Sequence, residues 1–112
     1  MKKSTTASLL PSVAAPLLAL GQHIRSARQA RGWTIAEAAA RVVVSTATYK
    51  RIEAGDPSVS MASWANTLCQ LQLLDAVIGA AAPAQDALGE GLRAAQASKR
   101  IRKAKVKDDY DF

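Results

Sequence analysis

The chain has 112 residues, 49% of them apolar and only 4% aromatic, which means one small helix-leaning domain with room for a tail, and not two domains. Fifteen Lys and Arg against nine Asp and Glu give a formal charge of +6, so an anionic partner is expected: nucleic acid, a membrane surface or an acidic protein. One cysteine and one histidine exclude an internal disulfide framework and leave too few ligands for a zinc site, so no metal and no cofactor are expected.

No apolar run reaches the roughly 18 residues that a membrane-spanning helix needs. Met1-Lys2-Lys3 followed by Ala7 to Gly21 resembles a signal peptide, but Pro11 and Pro16 interrupt the apolar stretch. Residues 1–16 are therefore read as a flexible N-terminal arm. From Leu17 the pattern becomes helical. Leu20, Ile24, Ala27 and Arg31 share one stripe, and Gly32 ends the helix. Thr34-Ile35-Ala36-Glu37 is a capping box that opens a second, Ala-rich helix to Arg41. Val42-Val43-Val44 then breaks the pattern into a turn, because β-branched residues are poor helix formers.

Ser45 is expected to cap a third helix, Thr46 to Ala54, closed by Gly55. Asp56-Pro57 marks a loop, and Ser58 is expected to cap a fourth helix. Met61, Trp64, Leu68 and Leu71 give that helix its apolar stripe. Leu73, Leu74, Val77 and Ile78 predict a short fifth helix ended by Gly79. Residues 17–79 thus form one domain. Residues 80–112 read as a linker, a weak frayed helix over Ala84 to Ser98, and a tail. The tail is basic from Lys99 to Lys107 and acidic at Asp108-Asp109-Tyr110-Asp111-Phe112. Too polar to bury a core, it is expected to be disordered when free.

Two short helices joined by a tight turn, inside a five-helix series, resemble the Cro and lambda-repressor type (XRE-like) helix-turn-helix domain. The residues that carry the resemblance are Ile24-Arg25 and Arg28, then Trp33 to Ala39, then Val44-Ser45, Tyr49 to Gly55 and Pro57-Ser58. It implies an all-α, five-helix lambda-repressor-like fold that binds duplex DNA. Three positions depart from the family. Val43 stands where the turn usually has Gly at positive φ. Ile35 replaces a phosphate-contacting Gln. Ala38 replaces a large aliphatic, whose space Trp33 or Tyr49 would fill.

On this resemblance the third helix enters the major groove with Thr46, Ala47, Lys50 and Arg51 facing outward. Arg51 would pair with a guanine, Lys50 with a guanine or phosphate, and Ala47 with a thymine methyl. Thr34 and Thr48 would position the helix on phosphates. Arg28 and Glu53 match a family pair that ties the first helix to the third. Outside the motif, Lys50 and Arg51 would be ordinary solvated charges. Trp33, Tyr49 and Trp64 read as core, Cys69 as a partly buried inert thiol, and His23 as a surface residue. Nothing supports catalysis, so the chain is not expected to be an enzyme.

The function expected is a cytoplasmic, nucleoid-associated repressor acting as a homodimer on a palindromic operator. The apolar residues after the fourth helix are the candidate dimer interface. The basic-then-acidic tail more distantly resembles that of HipB-like antitoxins, which implies a HipA-like serine/threonine kinase as partner. On that reading Asp108, Asp109, Tyr110, Asp111 and Phe112 form a partner-binding arm. The alternatives are a free-standing XRE-like regulator and an adaptor that keeps the fold but binds protein only.

Overall fold

The first helix begins well before the sequence pattern predicts. A computed structural model describes residues 8–110, with side chains through residue 106. Helix α1 spans Pro11–Ala30 and takes in much of the expected arm. Of the other arm residues, Ser8 to Leu10 precede the helix and 1–7 lie outside the described residues. Pro11 sits at the helix start, where a missing N–H costs nothing and the fixed φ is already helical. Pro16 lies inside the helix and forfeits one bond to the preceding turn. It does so on an exposed face, and the apolar residues that follow anchor the helix beyond it.

Four more helices follow: α2 (Ile35–Val42), α3 (Thr46–Glu53), α4 (Met61–Gln70) and α5 (Leu74–Ala80). A 3-10 turn, Pro83–Gln85, leads into α6 (Ala87–Tyr110). The described residues contain no strand, so the all-α expectation holds. The chain divides into two compact units, one ending at Asp75 and one beginning at Ala76.

In the first unit α1 to α4 bury one core: Ile24, Ala38, Ala39, Val42, Tyr49, Ile52, Val59, Leu68 and Leu71. Leu20, Trp33, Ile35, Val44 and Trp64 pack against it half-buried. Tyr49, only 1% exposed, shares that cluster with Ala38, where the family has a large aliphatic. Two members of the predicted stripes fall elsewhere. Met61 is 86% exposed, because α4 starts there and its first turn overhangs the core. Arg31 is exposed, and its guanidinium donates to the Leu71 carbonyl at 2.6 Å, tying the ends of α1 and α4 together.

The helix ends follow one rule. α1 to α4 each close with a 6→1 bond: Trp33 N–H to Arg28 O, Val44 to Ala39, Asp56 to Arg51 and Leu73 to Leu68. Each bond needs a left-handed residue just before its donor. Those residues are Gly32, Val43, Gly55 and Gln72. Glycine takes the conformation freely; valine and glutamine do not. At the start of α4 the cap is Ser60, not Ser58. Ser58 is held instead by its N–H donating to Asp56 Oδ1 at 2.8 Å, an Asx turn that uses up the loop before the helix can begin.

The second unit differs from the disordered tail that the sequence suggests. α6 runs 24 residues without interruption and takes in both the weak helix and the basic run. The Asp86 carboxylate accepts from the Gly89 N–H at 3.0 Å and so caps its start. That carboxylate occupies the space a Cβ at 89 would need, so the glycine helps the cap form. The Ala, Arg and Lys that follow are strong helix formers.

Candidate nucleic-acid interface

Helix α3 is divided cleanly along its length. Thr46, Ala47, Lys50 and Arg51 are exposed, and Tyr49 and Ile52 are buried. Thr48 and Glu53 lie half-buried between them. At 3.6 residues per turn the exposed four share one face. Ser45 Oγ accepts from the Thr48 N–H at 3.1 Å and donates to Thr48 Oγ1 at 3.0 Å. The first turn is therefore fixed, and the Thr48 hydroxyl accepts from Ser45 while keeping its own proton to donate.

Helix α2 is capped in the same way. Thr34 Oγ1 accepts from the Glu37 N–H at 3.1 Å and donates to Glu37 Oε1 at 3.2 Å. Thr34 is exposed, but its hydroxyl proton is spent on a carboxylate. Ile35, in the place of the family's Gln, turns its side chain to the core. The turn between α2 and α3 carries Val43 at φ 58°, with its side chain 89% exposed. A β-branched residue there is strained, by roughly 1–2 kcal/mol.

What holds α3 is an ion pair behind it. Arg28 Nε donates to Glu53 Oε2 at 2.6 Å and Nη2 to Oε1 at 3.2 Å, a two-pronged bridge. The third arm, Nη1, donates to the Trp33 carbonyl at 2.8 Å. Both side chains are about nine-tenths buried. Hydrogen bonding to Glu53 pushes the Arg28 guanidinium further up from its already high value. Next to it the Tyr49 hydroxyl is buried and forms no hydrogen bond of good geometry. Burial, reinforced by the Glu53 charge, pushes its pKa well up.

A second fastening is steric. A Cβ at Gly21 would stand 2.6 Å from the Glu53 carbonyl oxygen and 2.8 Å from Gly55 N. A Cβ at Gly55 would stand 2.7 Å from Leu18 Cα. Backbone meets backbone here, so α1 and the end of α3 touch through two glycines. The model of the helix-turn-helix domain family matches residues 19–80, more than half the chain. The chain belongs to the helix-turn-helix domain family. No curated protein and no solved structure matches it.

In this helix-turn-helix domain the outward face of α3 is hydrogen-bond-rich and cationic, and everything behind it is clamped. Two features were not foreseen from sequence. Arg41 lies flat over the Trp33 ring, 4.1 Å from its centre, a cation–π pair at the end of α2. The spacing of eight residues across a helix start gave no signal for it. Arg31 is the other, as described above. Cys69 is exposed, not partly buried, because it follows Leu68 around to the solvent side of α4. His23 is at the surface. Asp108, Asp109 and Tyr110 are the last residues of α6, and Asp111 and Phe112 lie outside the described residues. Among the described residues no group of acidic, His or Cys side chains is placed to hold a metal, and no helix is long and apolar enough to cross a membrane.

Proposed function

We propose that the chain is a sequence-specific DNA-binding transcriptional repressor that acts as a homodimer on a palindromic operator. One observation carries the reading. Thr46, Ala47, Lys50 and Arg51 are exposed together on a helix whose other face is fixed by a buried ion pair. A recognition helix needs this combination of free edge-reading groups and a rigid mount. Arg51 is the guanine reader, Lys50 reads guanine or phosphate, Ala47 touches a thymine methyl, and Thr46 contacts the backbone or a base edge. Thr34 serves through its capped helix start, because its hydroxyl proton goes to Glu37, whereas Thr48 only accepts from Ser45 and donates its hydroxyl proton to a phosphate. The protein works in the cytoplasm, at the nucleoid.

One domain of this kind reads a half-site, so two copies are needed for a palindrome. Leu73 and Leu74 pack against the core, which leaves Val77 and Ile78 as the exposed apolar residues of α5 available for pairing. The antitoxin version of this reading, with a HipA-like kinase as partner, rests on the composition of 99–112 alone. Helix α6 now stands where that version expected an unfolded arm. The repressor reading is the one the geometry supports best. Its test is Arg51→Ala on a selected site and on random duplex. Loss of preference at one base pair supports it, equal loss on both DNAs refutes it, and a wild type that binds neither DNA marks the protein-only adaptor.

A further inference from the structure

Helix α6 buries almost nothing. Every side chain from Glu90 to Val106 is exposed. The sequence from Gly91 to Lys107 contains no acidic residue. At about 100° per residue, Lys99, Arg100 and Lys103 fall within an arc of roughly 100°. They line one shallow groove together with Gln96. Arg93 lies on the same side and is partly neutralised by Glu90, at 3.1 Å. Lys105 points to the opposite side of the helix.

Two other uses of such a helix fit less well. A membrane-surface helix needs one apolar face. Here Leu88, Leu92 and Val106 fall on one side and Ile101 on the opposite one, and all four are exposed. A solvated linker helix gains extra support from charges of both signs three or four residues apart, and from Gly91 to Lys107 this helix carries one sign only.

We propose that α6 is a second, sequence-independent DNA-binding element: a preformed cationic ridge of Lys99, Arg100 and Lys103 that engages the phosphate backbone. The proposal rests on the DNA-binding reading of α3. It adds the source of general affinity to that reading. Because the helix exists before binding, its cations are spaced in advance and little ordering is left to oppose association. Each neutralised phosphate releases counterions, which makes the contribution readable as salt dependence. Tethering to a sequence-reading domain raises the effective concentration of both elements on one duplex.

The experiment uses the full chain and a 30-base-pair duplex of random sequence, with affinity measured across salt concentrations. Lys103→Gln and Lys105→Gln remove the same charge from opposite sides of α6. Lys103→Gln lowers the slope of log K on log salt by about 0.9, and Lys105→Gln leaves it nearly unchanged. The triple change Lys99→Gln, Arg100→Gln and Lys103→Gln lowers it by about 2.7. Ile101→Pro keeps every charge but breaks the ridge, and lowers the slope by at least 1, on the order of one lost phosphate contact. Equal effects at 103 and 105, or an unchanged slope in the triple or the proline variant, overturn the proposal. Failure of the α3 reading looks different. There Arg51→Ala leaves the ratio of selected-site to random-duplex binding unchanged, whatever the α6 variants do.

Discussion

Helices α3 and α6 are both cationic, and they are held in opposite ways. α3 has eight residues, buries Tyr49 and Ile52, and is fastened by the Arg28–Glu53 bridge and the two-glycine contact with α1. α6 has 24 residues, one capping bond at its start, and no buried side chain over Glu90 to Val106. The difference teaches what each job requires. Reading a base edge needs donors placed to a fraction of an ångström, so tertiary packing must fix the helix. Neutralising phosphates needs charge at roughly the right spacing, and helix propensity suffices.

The contrast breaks most severely at Glu53. Glu53→Ala leaves Arg28 buried without its carboxylate and should cost about 3–5 kcal/mol. Chemical denaturation of the first unit measures it. A loss under about 1 kcal/mol would mean that the bridge does not hold α3. Gly21→Ala comes next, at about 1–3 kcal/mol, because the new methyl meets backbone atoms that cannot swing away. It should also weaken binding to a selected site more than binding to random duplex, since it displaces α3 and spares α6. Parallel losses on the two DNAs would erase the distinction between the helices.

Two smaller changes sharpen the comparison. Val43→Gly relieves the left-handed strain in the turn before α3. Against that relief stands the extra chain entropy of glycine, about 0.5–1 kcal/mol, so a net gain of up to about 1.5 kcal/mol is expected. Thermal unfolding reads it, and a lowered Tm would show that the exposed valine contributes something that this account lacks. Tyr49→Phe removes a buried hydroxyl with no well-formed bond, so stability at neutral pH should change by less than about 1 kcal/mol. The variants should separate in alkali. The Tyr49 pKa is raised on folding, so its contribution is complete below the unfolded value of about 10 and is lost as pH rises past it. The wild type should lose stability over that range faster than Tyr49→Phe, and superimposable pH curves would contradict the burial assigned to Tyr49.

Much of this was legible in the sequence, where a local signal matched a local structure. The Thr34 and Ser45 caps, the glycine stops at 32 and 55 and the apolar stripe through Leu20, Ile24 and Ala27 are all short-range patterns. The Arg28–Glu53 pair and the outward face of α3 were reachable only through family resemblance, since 25 residues separate the pair. Pro16 misled because proline is a strong breaker by itself, while a helix with anchors on one side of it can absorb one missing bond. Gln72 repeats at α4 what Gly32 and Gly55 do elsewhere, but without glycine to announce it. Ser58 looked like a cap, and only the competing Asx turn at Asp56 moves the helix start to Ser60. α6 is legible only in its first half, as the weak helix to Ser98, and from Lys99 on it is hidden for the opposite reason. Its charge suggests disorder, while its Ala, Arg and Lys content and the Asp86 cap favour the helix.

The most direct test of the central claim is to select bound duplexes from a randomised DNA pool, with the wild type and Arg51→Ala in parallel. The account predicts an enriched inverted repeat for the wild type, its half-sites about one helical turn or a multiple apart. It predicts the same repeat for Arg51→Ala with one symmetric base pair relaxed, at a cost of about 1–3 kcal/mol on the original site. No enriched sequence for the wild type, or an identical motif from both proteins, would contradict the assignment of α3 as the helix that reads DNA.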